Sequence, residues 1–126
     1  MSEVDKELKD LRHFIGTEQY HKLPLFNTNL TDGVAYVMKN GYSWFITDSL
    51  AVIETKLKDE EFLSVKLKLL KDNQAEMVIT DGNDKVFYTQ KYGYTDAKSE
   101  VDLYWTDNVF MVSSEYWSEV EKWKRK

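Results

Sequence analysis

From Leu63 onward the chain alternates between apolar and polar positions. Leu63, Val65, Leu67 and Leu69 are apolar, with Ser64, Lys66 and Lys68 between them. A period of two sends these sets to opposite faces of an extended strand, one buried and one wet. Ala75, Met77 and Ile79 repeat the pattern after the turn-like Lys71-Asp72-Asn73-Gln74. Asp81-Gly82-Asn83-Asp84 then predicts a hairpin into a third strand over about 85–92. A link from Thr95 to Glu100 leads to Val101-Asp102-Leu103-Tyr104-Trp105. Thr106-Asp107-Asn108 turns the chain, and Val109-Phe110-Met111-Val112 returns. Turns this short leave no room for crossover connections, so the strands are expected to form an antiparallel meander of about five.

Before Leu63 the period is helical. Val4, Leu8, Leu11 and Ile15 recur at spacings of four, three and four, which predicts a helix over about 3–14 closed by Gly16. Thr17 can cap a short further turn, and Pro24 ends anything regular before it. Leu25 to Leu30 reads as loop. Thr31 is a natural N-cap for a helix through Asn40, with Gly41 as its stop. Ser43 is expected to cap the next helix, over about 44–56, although the β-branched Thr47, Val52 and Thr55 weaken it. The tail from Ser114 to Lys126 reads as a last helix, with Ser114 as its cap and Tyr116, Trp117, Val120 and Trp123 on one face. Helices followed by strands indicate an α+β fold. The expectation is one domain over 1–126, with N-terminal helices packed on the meander and a C-terminal helix.

Composition narrows the function. The chain of 126 residues has no cysteine, so disulfides, thiolate metal sites and cysteine nucleophiles are excluded. Its polar, acidic start lacks the basic and apolar regions of a secretory signal, and no run approaches a membrane span. These features point to the cytoplasm. A net charge of −5 argues against direct nucleic-acid binding, which calls for a basic patch. Proteins with basic clefts become the expected partners.

Charge placement is the most unusual feature. From Asp96 to Glu121 there are seven acids and one base, Lys98, with Tyr104, Trp105, Phe110, Tyr116 and Trp117 interleaved. Carboxylates steer an approach and aromatic side chains anchor it. This marks Asp96, Glu100, Asp102, Tyr104, Asp107, Glu115 and Tyr116 as a candidate contact surface; a solvated edge that resists aggregation gives the same pattern. A second candidate is a pocket built from Glu18, Tyr20, His21, Asp32, Tyr36, Trp44 and Asp48. His21 with Glu18 and Asp32 offers acid/base groups, and Trp44 and Asp48, four apart, share a helix face. Asp32 also suits the first turn of a helix with no further role. The spacing of His13, Glu18, His21 and Asp32 fits no metal motif, and no cofactor is called for. The glycine-rich phosphate loops, the nucleophile elbow and the His-Glu-x-x-His motif are all missing.

Gly16-Thr17-Glu18-Gln19-Tyr20-His21, then Thr31-Asp32-Gly33-Val34 with Tyr36-Val37, then Tyr42-Ser43-Trp44-Phe45-Ile46-Thr47-Asp48, resemble a family of short bacterial, phage and plasmid proteins of unknown function. Leu103-Tyr104-Trp105 and Asn108-Val109 fit the family's later hairpin. The resemblance spans about residues 11–116. Leu30 departs from it, standing where the family often has Tyr, as does Ser43, which separates Tyr42 from Trp44. The resemblance implies a mobile-element setting and supplies no activity. The leading expectation is therefore a non-enzymatic protein-binding module. It would be an anti-defence inhibitor, of the anti-restriction or anti-CRISPR kind, that docks on the basic surface of a nucleic-acid-handling host or defence protein. The alternatives are a small enzyme or ligand-binding domain with its pocket near Glu18, His21 and Asp32, and a self-associating accessory protein. Oligomeric state stays open.

Overall fold

The computed structural model describes residues 19–117. A six-stranded sheet carries the fold: β1 (Asn29–Leu30), β2 (Phe62–Leu69), β3 (Ala75–Thr80), β4 (Val86–Tyr92), β5 (Val101–Thr106) and β6 (Val109–Val112). Its spatial order is β1-β6-β5-β2-β3-β4. Among the described residues the helices are α1 (Asp32–Val37) and α2 (Ser43–Val52), and a third, α3, is described over 113–117.

The α+β class holds, and alternation located β2, β3 and β5, while the turn signals located β4 and β6. The simple meander does not hold. β5 pairs with β2 instead of β4, so β2 is central, with Leu63↔Trp105 and Val65↔Leu103 on one side and Val65↔Ile79 and Leu67↔Met77 on the other. The apolar positions of β2 thus pack between two strands at once, whereas pairing β5 on β4 would leave them half covered. The link from 93 to 100 crosses over to reach this place. It is held there by Tyr42, whose buried hydroxyl accepts from the amides of Lys98 (3.2 Å) and Ser99 (3.0 Å).

The sheet is also mixed rather than purely antiparallel. Asn29 and Leu30, expected as loop, form β1 parallel to β6, and His21 bridges to Leu30 from the other side. Glu54 supports this segment: its carboxylate accepts from the amides of Asn27 and Thr28 and from the Thr28 hydroxyl.

Thr31 caps α1 as expected, accepting from the Val34 amide. Gly41 stops it, at φ 99°, a backbone region open to glycine at little cost. Ser43 does not cap α2. The chain leaves helical geometry at Asn40 and Gly41, Tyr42 takes the N-cap position of α2, and Ser43 is its first residue. α2 then runs into a wide turn, Ile53–Leu57. The threonines that weakened this helix on paper are accommodated: Thr47 donates to Ser43 O and Thr55 to Ala51 O, one turn back.

The core lies between the helices and the inner sheet face. It includes Val34, Val37, Phe45, Ile46 and Leu50 from the helical side and Leu63, Val65, Met77, Ile79, Leu103 and Phe110 from the strands. Each such side chain, fully buried, contributes about 1.5–3 kcal/mol. α3 begins at 113, so Ser114 lies within it rather than capping it. The expected helix over 3–14 and the Thr17 cap lie outside the described residues, as does the tail beyond Trp117. Gln19 and Tyr20 are not helical. Among the described residues no helix is long and apolar enough to cross a membrane.

Candidate functional site

The register sends Phe62, Ser64 and Lys66 of β2, with Asp102 and Tyr104 of β5, to the sheet face turned away from the helices. α3 leans over part of that face. Tyr104 meets Phe62 and Tyr116 at ring-centroid distances of 5.1 Å each, Phe62 meets Tyr116 at 5.5 Å, and Tyr116 meets Trp117 at 5.1 Å. Most of these contacts are edge-to-face, the favoured arrangement for aromatic quadrupoles. The rings pack on one another and form a plateau, not a cage. Trp117 remains 53 % exposed at its rim. Beside the plateau is a cleft of about 340 Å³, bounded also by Lys66 and the Asp81–Asn83 turn. Burial pushes the Tyr104 phenol up, the charge of Asp102 adds to this, and a hydrogen bond from Trp117 opposes it.

Asp102 stands opposite Lys66 in the ladder. Its Oδ1 is enclosed and has no hydrogen-bond partner among the described residues. Burial raises this carboxyl above the usual carboxylate range, and the charge of Lys66 pulls the other way.

Glu115, placed by its sequence among surface acids, is 3 % exposed. It turns inward from α3. Oε1 accepts from the Thr31 hydroxyl (2.6 Å) and the Val112 amide (2.9 Å), and Oε2 from the Gly33 amide (3.2 Å). The carboxylate thus clasps α3 and β6 to the start of α1. A Cβ on Gly33 would lie 2.7 Å from Oε1, so only glycine allows the approach. Burial lifts the Glu115 carboxyl above its ordinary value, outweighing these three donors, and Asp32 adds to the rise.

Of the other acids in that stretch, Glu100 is on the surface, accepting from the Leu69 amide (2.9 Å). Asp107 lies in the β5–β6 turn with φ 52°. Asp96 borders a different pocket, with Trp44, Tyr92, Tyr94 and Thr95.

The second candidate group divides. His21 Nε2 and Asp32 Oδ1 are 3.0 Å apart, at the β1 edge. Asp48 instead accepts from the Tyr92 hydroxyl (2.9 Å), and the Trp44 ring is 4.9 Å from that of Tyr92, on β4. β1 and β4 are opposite edges of the sheet, about 24 Å apart at the usual strand spacing. One pocket therefore does not hold both pairs. Tyr20 is exposed, Tyr36 is half-buried on α1, and Glu18 lies outside the described residues. Sequence reasoning did not single out Phe62, Tyr92 or Tyr94. Tyr92 ends the third predicted strand, whereas Phe62 precedes the first and Tyr94 follows the third, so the sequence offered a signal for Tyr92 alone.

No curated protein and no solved structure matches the chain. A family model matches residues 5–116, most of the length, and takes in the whole span of the sequence resemblance: the chain belongs to DUF6876, a family of unknown function.

Proposed function

We propose that the chain is a non-enzymatic protein-binding module whose contact surface is the aromatic plateau on the outer sheet face. The observation that carries this reading is the placement of Tyr104, Tyr116 and Trp117 together beside an open cleft, with Trp117 half in solvent. Large, rigid aromatic side chains with polar tips are the residues that dominate binding energy at protein interfaces. Lys66 and Asp81 at the rim supply charges of both signs for orientation. The narrower reading, an anti-defence inhibitor seated on a basic nucleic-acid-handling surface, draws on the net charge of −5 and on Asp96 and Asp107. Burial withdraws Glu115 from that contact set.

The test is affinity capture from bacterial lysate, with and without nuclease, using the intact chain and Trp117→Ala. A stoichiometric, nuclease-resistant partner held by the former and lost by the latter is expected. Equal capture by both refutes the plateau as the contact surface. If the captured partner presents a basic cleft, the inhibitor reading gains its target.

A second reading, a small enzyme or ligand-binding domain, has the His21–Asp32 pair in its favour, because a half-exposed imidazole held by a carboxylate is a workable general base. Ligand-induced shifts of the His21 ring in a metabolite screen, absent in Asp32→Asn, are what this reading requires.

A further inference from the structure

β4 ends the sheet: among the described residues no strand lies on its outer side. Alternate backbone N–H and C=O groups on that side have no ladder partner there, the condition in which an edge takes up another strand. The ladder to β3 is irregular near its start. Ile79 faces Tyr88 but Thr80 faces Val86, so Phe87 is an extra residue. From Tyr88 to Tyr92 the ladder is regular. Lys91 is the one charged residue of that stretch, and Thr89 and Lys91 are both exposed. Large apolar side chains stand in solvent on either side of it: Val86 is 54 % exposed and Tyr94 75 %.

The helical layer follows the same edge. Trp44, Asp48, Val52 and Lys56 recur at every fourth residue, along α2 and the wide turn after it. Side chains four apart share a helix face. This face runs beside β4. The Trp44 ring is 4.9 Å from that of Tyr92, Asp48 accepts from the Tyr92 hydroxyl (2.9 Å), and the Lys56 ammonium is 5.9 Å from the Tyr88 ring centre. An acid thus stands at the Tyr92 end of the edge and a base at the Tyr88 end.

From this arrangement we infer that β4 pairs antiparallel with β4 of a second copy of this chain, about a two-fold axis at Gln90. An axis normal to the sheet keeps the helices of both copies on one side and passes through a residue that opposes itself. At Lys91 it would set two like charges opposite each other. At Thr89 it would carry the pairing into the extra residue Phe87. At Tyr88 or Tyr92 it would leave half of the regular stretch unpaired. At Gln90 the stretch pairs with itself: Thr89 opposes Lys91 and Tyr88 opposes Tyr92, each twice. Val86 and Tyr94 both lie four residues from that axis, so Val86 of one copy comes against Tyr94 of the other. Asp48 and Lys56 follow the tyrosines that they touch, so each acid approaches the base of the other copy, with Val52 between. Opposite charges brought together and apolar side chains covered, both doubled by the symmetry, favour a second copy over an unrelated extended segment. The edge shares no residue with the outer-face plateau, so either assignment can fail without the other.

The test is sedimentation velocity of the intact chain over a range of micromolar concentrations. A mass twice that of one chain is expected, giving way to one on dilution. Thr89→Lys sets like charges opposite Lys91 and Thr89→Glu sets unlike ones, at a position exposed in the single chain. The first should weaken association about tenfold and the second strengthen it about tenfold, because each change acts twice across the axis. For a chain of net charge −5, general repulsion predicts the reverse order, so the signs identify the register. Equal effects or the reverse order would overturn the pairing. An association abolished by Trp117→Ala and indifferent to Thr89 would overturn it too, moving the contact to the plateau. A chain that stays single throughout the range would overturn the second copy as occupant; slower hydrogen exchange of residues 88–92 on adding a protein captured from lysate would then give the edge to a foreign strand.

Discussion

Replacing Glu115 by alanine removes the acceptor for two buried amides, Gly33 and Val112, and for the Thr31 hydroxyl. The hydroxyl can rotate toward another acceptor, but the amides are fixed by the backbone. An orphaned buried donor costs about 1–3 kcal/mol. Two amides at the middle of that range cost about 4 kcal/mol in all, and relief of the carboxylate's own desolvation returns about 1, by the same scale. The expected net loss is about 3 kcal/mol, a large part of a typical 5–15 kcal/mol total. For a chain of this length that lowers Tm by about 10 °C. The assay is urea unfolding followed by tryptophan fluorescence, with midpoint and slope fitted together. A loss below about 1 kcal/mol at unchanged slope would refute the clasp, because even one orphaned amide exceeds it. The pH dependence gives an independent check. The carboxyl is raised in the folded state, so the fold binds its proton more tightly than the open chain does. Its contribution is therefore full below the ordinary value of 4.5 and is lost as pH rises through the raised folded value. Stability relative to Glu115→Gln should fall over that interval; a rise would reverse the sign of the argument.

The same logic applies to Asp102→Asn, which removes a half-buried charge with an unpartnered oxygen. The variant should be more stable than the parent at pH 7, by less than about 1 kcal/mol once solvent screening is counted, with the difference vanishing in acid; denaturant titration at both pH values reads it. Tyr42→Phe strips the acceptor from the Lys98 and Ser99 amides and should cost about 1–2 kcal/mol. Hydrogen exchange would show faster opening confined to the link before β5, and uniform acceleration across the sheet would argue against a local role.

Strands β2, β3 and β5 were legible because period-two alternation is a local property, set by the two faces of each strand, and β4 and β6 because the turns before them are local too. Their pairing was not. The choice of β2 over β4 as the neighbour of β5 depends on a link that Tyr42 holds from far along the chain, and no local pattern encodes that. β1 escaped notice for a related reason. Asn29 and Leu30 are too few to alternate, and their strand character comes from β6 and His21. At α1 the cap and the glycine stop were readable, since both act within one turn. Ser43 misled by one residue: the break falls at Asn40 and Gly41, Tyr42 takes the cap position, and Ser43 is already the first helical residue. The candidate residues divided along the same line. Trp44 and Asp48 sit together, as their spacing implied, but their neighbours Tyr92 and Asp96 come from the opposite sheet edge to His21. Glu115 could not have been found: in sequence it is one more acid in an acidic stretch, and only the fold turns it inward.

The parallel pairing of β1 with β6 also sets an order of events in time. The β2–β3, β3–β4 and β5–β6 contacts close over short turns, whereas β1, bridged locally only by His21, has no partner strand until β6 is in place. The Thr31–Glu115 bond joins residues 84 positions apart. Closing so long a loop is an entropic cost met before any contact rewards it, which places this edge late in folding. Interactions absent from the transition state govern escape from the native state rather than entry to it. The clasp is thus a brake on unfolding: when it gives way, α1 and the β1 edge are the first to leave, while β2, β3 and β4 still hold together.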